Sequence, residues 1–568
     1  MDYSEKAKLA LEKYQAEKPA ALEYQQRRHL DWTENYLLYR NRVAINRLTQ
    51  RQEVSIPLMK ETIRTILAKI DEDPDVYFED LGGDLDKEIV INELFENFKK
   101  ENQISLLDRV DKKQVMLYGR SHRKLNWDGE KVTLELKDPF DILVDPKTLP
   151  YDIDSARFII ETGILKPLEE VIHDERYDQE ARDLLKERYT PNQTKGEVIT
   201  SRTEQEQQDR DERMTQMDVD SDQNFAGSEI ILSLDQHFTY LWEEEKKEYV
   251  RYVSVIADSD VVLSCKPLKE VLGVDNFWPF ESWADDLEAT DYNSDAVADI
   301  IRQPNKIINT WLSQEIENRT LANFGMNFYD STIEGFEPVA WDPRPFGWYP
   351  LPGKPSEVLE RVNVAPFPGN MESINYLIGL VEKATASGAV EKGSLSDEKR
   401  TLGEIEITVA KAMERINSMT PFYRLCWQRT AEKWRQIMEA NVDNKKKFKL
   451  YKKGYDGRMQ EAVIKKSQWT SKKGFRVRVE NKRQREAEDA NELNNMFAIQ
   501  QKIPNNPPLD AAIRRKALKT LGLSPEEIRE IDEFEKKKAE EMRNAPQAGQ
   551  QSNPMNPAGP LPAQPIPV

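Results

Sequence analysis

Between Met371 and Asn441, apolar residues fall at helical spacing on both sides of a short polar interruption. Met371 to Ala386 is one apolar helical run. Leu402, Ile405, Val409, Met413, Ile416 and Met419 then mark one face of a second helix, from Thr401 to about Asn441. A helix of roughly 40 residues reaches roughly 60 Å, longer than an ordinary domain needs. Pro421 lies within it, removing a backbone donor and crowding the preceding turn, which predicts a kink near Thr420. The interruption, Ser387 to Arg400, is a loop of small and charged residues. Two helices, a charged loop and a kink describe a mechanical element better than a catalytic pocket.

The rest of the chain alternates helical and strand periods. Residues 1–48 read as charged helix with Trp32, Tyr36 and Tyr39. Lys60 to Ile70 is amphipathic, stopped by Asp71-Glu72-Asp73-Pro74. Asp75 to Phe78 is a strand candidate, and Ile89 to Ile104 a helix. From Val115 the period becomes two. Val115–Arg120 and Lys131–Leu136 flank Asn126-Trp127-Asp128-Gly129, a hairpin pattern. Asp141 to Pro146 is a strand ended by proline, and Ala156 to Thr162 a further strand candidate. Residues 174–226 are polar, with a short helix near 178–188 followed by a solvated or disordered insertion.

Strands return at Ile230–Tyr240 and Glu248–Ser264, followed by an aromatic loop at Phe277–Trp283. Asn293 to about Phe324 reads as a long helix with Pro304 inside it, which predicts a kink or a late start. Residues 325–370 are strand and turn. Lys445 to Arg485 holds 16 Lys and Arg against Asp456, Glu461 and Glu480, and Phe475-Arg476-Val477-Arg478-Val479 is a strand with one basic face. Helices follow at about 486–501, 509–521 and 524–543, then a disordered Pro-, Gln- and Asn-rich tail from Asn544.

Composition narrows the chemistry. The chain has 568 residues, 32% of them charged, with mean hydropathy −0.74, so it reads as soluble and long enough for several domains. The net charge of −19 repels phosphate on average, so any nucleic-acid role must use local basic patches or avoid tight binding. Cys265 and Cys426 are the only cysteines, and His29, His122, His173 and His237 are scattered. No CxxC or HExxH motif occurs, so no zinc site or other metal is expected. The charged N-terminus and the lack of a long apolar run predict neither signal peptide nor membrane span.

Gly388-Ala389-Val390-Glu391-Lys392-Gly393-Ser394 nearly spells a phosphate-binding loop, but its lysine precedes the second glycine and a helix, not a strand, precedes the loop. A flexible interhelical loop is the better reading, and no cofactor is expected. Asp285, Asp286, Glu288 and Asp291 sit on one stretch, where a metal-dependent nuclease needs ligands converging from several elements. They read as a loop and helix cap, with Asn293 or Ser294 capping. The basic segment 445–485 could touch DNA phosphates, but a solvated face or one pairing with an acidic neighbour is favoured. The histidines read as structural, and no catalytic residues emerge.

The order of these pieces resembles the portal proteins of tailed bacteriophages. The stretches that carry the resemblance are Asp141–Pro146, the run Trp278-Pro279-Phe280 through Asp286-Leu287, Tyr292, Ser294, Gln303, Asn305 and Asn309, and the pair of helical runs with Pro421 where a kink belongs. Together they span roughly residues 30–540, while 174–226 and the tail have no counterpart in the family pattern.

The resemblance implies an α+β, helix-rich portal fold in a cyclic ring of twelve identical chains around a DNA channel. It implies a wing over 1–290, a first stem helix over 291–324, a clip over 325–370 and a second stem helix over 371–387. A tunnel loop over 388–401, a long kinked wing helix over 402–441 and a basic strand-containing wing segment over 442–485 follow. Crown helices over 486–543 and a disordered tail over 544–568 complete the chain.

The ring would sit in the virion at one capsid vertex and serve packaging, retention and ejection of the genome. Its implied partners are double-stranded DNA bound non-specifically, the major capsid and scaffolding proteins, the terminase large subunit, and a tail or adaptor protein. In the tunnel loop Lys392, Ser394, Lys399 and Arg400 are the expected DNA-channel residues. The alternatives are another virion structural protein without a DNA channel, such as a tail adaptor or scaffold, and a DNA-processing enzyme, for which the sequence offers no convincing nucleotide loop or converging carboxylates.

Overall fold

The structure, a computed structural model, describes residues 5–41, 54–70, 75–189, 198–199, 230–244, 246–324, 326–329, 354, 359–362, 371–385, 387, 420–443, 448–453, 459–480, 495–498 and 513. Helix and sheet are mixed, as the α+β reading expects. The elements in order are α1 (Glu5–Tyr39), α2 (Leu58–Ile70), β1 (Asp75–Asp80), α3 (Leu85–Glu101), α4 (Ile104–Tyr118), β2 (Arg120–Trp127), β3 (Val132–Lys137), β4 (Ile142–Val144) and β5 (Phe158–Pro167). Then come α5 (Leu168–His173), α6 (Gln179–Tyr189), β6 (Val198–Ile199), β7 (Ile231–Glu243), β8 (Glu248–Ala257), β9 (Val261–Pro267), α7 (Leu268–Leu272), β10 (Phe280–Ala284) and α8 (Val297–Phe324). The chain continues through β11 (Met326–Tyr329), β12 (Leu359–Val362), α9 (Met371–Thr385), α10 (Thr420–Asn441), β13 (Phe448–Lys453), β14 (Met459–Ile464) and β15 (Phe475–Glu480).

The chain divides into two compact units, residues 1–450 with 461–481, and residues 451–460 with 482–568. In the second, the described residues outside the strands are one helical turn at 495–498 and the buried Ile513. The helices expected over 486–543 otherwise lie outside the described residues, as do the 544–568 tail and most of the 174–226 insertion after α6.

In the first unit, β4, β5, β7, β8 and β9 form one antiparallel sheet in that order, joined by the short parallel β6 against β7. α1 lies against this sheet. Tyr14 donates to Asp235 at 2.6 Å and Lys18 pairs with the same carboxylate at 3.0 Å, both from inside the fold. A second antiparallel sheet has the order β10-β2-β3. β1 and β15 pair across some 400 residues of chain, from Asp75 opposite Glu480 to Asp80 opposite Phe475. The largest apolar core gathers Ile63, Phe95, Met116, Trp283, Ile308 and Trp434 from six elements.

Side-chain amides close several sheet edges, where unpaired backbone groups would otherwise lie open. Asn92 of α3 accepts from Phe78 N (2.8 Å) and donates to Phe78 O (3.0 Å), imitating a strand beside β1. Gln25 of α1 donates to Ile142 O of β4 at 2.8 Å, and Asn102 accepts from Leu134 N of β3 at 2.9 Å. On β10, Lys433 donates to Phe280 O at 2.7 Å.

Several expectations need correction. The hairpin exists, but its first strand is Arg120–Trp127; Val115–Tyr118 is the last turn of α4. Gly119 is the punctuation. It ends α4 at φ +81°, and a Cβ there would lie 2.0 Å from the carbonyl oxygen of Ser294, so only glycine fits. The helix expected over 89–104 is α3, which begins earlier, at Leu85, and ends at Glu101; Gln103 at φ +50° separates it from α4, which Ile104 opens. The aromatic loop at 277–283 contains the start of a buried strand, β10. The helix expected from Asn293 begins at Val297, and the carboxylate of Asp299, not Asn293 or Ser294, receives the N–H of Ala296 at 2.8 Å. Pro304 sits inside α8 and Pro19 inside α1 without ending either helix.

Candidate conduit elements

α8 inserts Ile301, Asn305 and Ile308 into the core, positions four and three residues apart on one stripe. α9 packs against α8 and buries Ile374 and Val381. Between the two helices, β11 and β12 pair antiparallel, Met326 opposite Val362 and Tyr329 opposite Leu359. The chain thus leaves along α8, turns through a strand pair, and returns along α9. The faces of both helices turned from the core carry apolar side chains: Ile300, Ile307 and Ile316 on α8, Tyr376 and Leu380 on α9. Tyr376 is 68% exposed. α1 holds α8 at its entry, where Arg302 pairs with Asp31 at 3.0 Å and with Asp299 at 2.7 Å.

α10 is the most deeply held helix. Phe422, Cys426, Thr430, Trp434 and Met438, one every four residues, are buried, and so are Tyr423, Trp427 and Ala431 beside them. Two clusters of buried charge anchor it. In the first, Arg123 of β2 lies over the Trp427 ring, 4.0 Å from its centre, and pairs with Asp111. Asp108 takes hydrogen bonds from Tyr423 Oη (2.7 Å) and Trp427 Nε1 (3.2 Å) and pairs with Lys112 at 2.6 Å. Asp111 also receives Ser121 Oγ at 2.6 Å and Trp283 Nε1 at 2.7 Å. Two carboxylates meet two cations, so the cluster is neutral as a whole, as buried charge requires. Burial pushes the Asp108 carboxyl up, and Lys112 and Arg123 pull against that. The Cys426 thiol is pushed up to about 12 by burial, which leaves it an unreactive packing group.

In the second cluster, Lys433 of α10 reaches Glu281 at 2.7 Å and Asp154 at 2.8 Å. Burial alone would lower its pKa, but these two carboxylates raise it.

Of the expected site residues, Pro421 is the second described residue of α10. Residues 402–419, and with them the expected kink, lie outside the described residues, as do Lys392, Ser394, Lys399 and Arg400. Among the described residues no group of three or more His, Cys, Asp or Glu side chains is placed to hold a metal ion, and no helix is long and apolar enough to cross a membrane. Arg476 is exposed and Arg478 pairs with Glu79 at 3.0 Å, so the basic face of β15 is partly spent on its own partner strand. His122 and His237 are buried against Tyr292 and Glu17.

Sequence reading missed the charged anchors. Their signal was present: Arg120-Ser121-His122-Arg123-Lys124 is a strand without apolar alternation, and all five side chains are buried. Asp108, Asp111, Lys112 and Val115 share one face of α4. No known protein family matches this chain, and no curated protein matches it.

Proposed function

We propose that this chain is one subunit of a portal-type ring that conducts double-stranded DNA through a capsid vertex during packaging, retention and ejection. The observation that carries this reading is the out-and-back pair α8 and α9 with its intervening strand pair, whose outer faces expose Ile300, Ile307, Tyr376 and Leu380. Exposed apolar stripes on two adjacent helices suit burial against neighbouring copies, and each copy in a closed ring meets two neighbours through different surfaces. α8 and α9 serve as the stem, β11 and β12 belong to the clip, and α10 belongs to the wing. The order of these pieces matches the portal pattern in the sequence.

The loop bearing Lys392, Ser394, Lys399 and Arg400 lines the narrowest part of the channel. A net acidic ring with few basic contacts lets DNA slide, because each phosphate neutralised adds affinity that slows movement. The chain itself catalyses nothing; the terminase large subunit docks on the ring during packaging and hydrolyses ATP. Capsid, scaffolding and later tail or adaptor proteins bind its outer surfaces.

Electron-microscope class averages of the purified protein, viewed end-on, test the reading. A closed ring with a central hole wide enough for a duplex is expected, and its symmetry gives the subunit number. Persistent monomers at high concentration, together with no such ring at the vertex of assembled particles, would overturn it. ATP or DNA turnover abolished by a single substitution would do so as well.

A further inference from the structure

We infer that the junction between β2 and the entry to α8 binds one monatomic anion of chloride size, held by Arg120. Arg120 opens β2 and is 1% exposed. Its Nη2 donates to Pro150 O (2.9 Å) and Ser294 Oγ (3.3 Å), and its Nη1 to Ser282 Oγ (3.3 Å). The guanidinium lies 4.0 Å from the centre of the Tyr292 ring. All of these partners are neutral. Nε is buried with no partner. The carboxylate that Arg120 feels is that of Asp291, which is already engaged by the Tyr24 hydroxyl and, at 2.9 Å, by the Asn293 N–H.

The other deeply buried cations of the neighbourhood behave differently. Arg123 has Asp108 and Asp111, Lys124 has Glu161, and Lys433 has Glu281 and Asp154. A buried charge is tolerated when it is paired. Arg120 alone among them has no carboxylate at ion-pair distance among the described residues.

Beside Arg120 is a cavity of about 10 Å³, lined by Tyr24, Gln25, Arg120, His122, Tyr292 and Asn293 with apolar walls from Ile142 and Val144. That volume admits about one atom-sized occupant. Sulfate and phosphate are too large. Water would satisfy the Nε–H but not the charge, whereas a halide does both. His122, two residues along β2 on the same strand face, also lines the cavity. Burial first, then the charge of Arg120, lower its imidazole to about 3, so it is neutral. Its Nε2 lies 3.1 Å from the Tyr292 hydroxyl, and its Nδ1 is buried without a partner. The bound ion links β2 to the stretch Ser282–Ser294 leading into α8.

The full chain tests this by thermal unfolding at pH 7 in sodium chloride, sodium bromide and sodium gluconate at equal ionic strength. Both halides are expected to raise the midpoint by about 2 °C over gluconate, and Arg120→Met to abolish that difference. A structure of the unsubstituted protein in bromide, recorded at the bromine edge, is expected to show an anomalous peak beside Arg120 Nε. It reads the site even where the variant fails to fold. Equal midpoints in halide and gluconate, the same halide effect in Arg120→Met, or water without anomalous signal in the cavity would each overturn the inference.

Discussion

Asp285 stands in the acidic stretch ahead of α8 with Oδ1 buried and unpartnered. Burial, then the neighbouring Asp286, push its carboxyl up to about 6 from the ordinary 3.8. The folded chain therefore keeps a proton that the unfolded chain loses between about pH 4 and 6, and stability falls as pH rises through that window. At neutral pH the fold carries a poorly solvated carboxylate. Asp285→Asn is expected to stabilise the protein by about 1–3 kcal/mol at pH 7 and by almost nothing at pH 4. Urea unfolding at the two pH values measures this, and an equal effect at both would refute it. His122 slopes the other way. With its imidazole lowered to about 3, its contribution is complete above about pH 6.5 and is lost on acidification, because the unfolded chain takes up the proton first. Neither behaviour was legible in the sequence. Asp285 read as an ordinary loop carboxylate, because burial is imposed by distant parts of the chain.

At the scale of elements, α10 depends on charge pairs that α4 and β2 deliver to it. Arg123→Met would leave Asp108 paired with Lys112 and Asp111 with no ion-pair partner shown among the described residues. A loss of about 3–5 kcal/mol is expected, as when one partner of a buried pair is removed. Asp111→Asn in the same chain should restore part of it; chemical unfolding of both variants gives the comparison, and additive losses would argue against the pairing. Elements with a clear period were legible: α2, β7 and the run that became α9 fall close to where the apolar spacing puts them, whereas Glu248–Ser264 divides at a turn into β8 and β9. Val115–Tyr118 was misread as strand because four residues, three of them apolar, fit either period. The signal that decides it, Gly119, works through a carbonyl 175 residues away that leaves no room for a Cβ. β10 was misread as loop because its aromatic residues and Pro279 look like turn chemistry until β2 is placed beside it.

For the whole molecule, the proposed channel rests on residues that act only in an assembly. Substituting Lys392, Lys399 and Arg400 together by alanine is expected to lower packaging or genome retention several-fold while leaving ring formation intact. Particle counts and encapsidated DNA measure this, and unchanged packaging and retention would remove the electrostatic role from the loop. The sequence made the runs that became α8 and α9 legible because apolar spacing is a local property. It could not display the outward apolar faces of α8 and α9, since a helix apolar on two sides does not say which side meets its own core.

The closed sheet edges bear on how copies of this chain can go wrong. Asn92, Gln25 and Lys433 occupy backbone positions that a foreign strand would need. At β1, β4 and β10, therefore, a folded copy cannot add its own strand to the sheet. Each plug is carried by a helix, so protection lasts only while α1, α3 and α10 stay docked. Strand addition at those three edges should therefore begin with helix detachment, and any factor that holds those helices down would oppose it there.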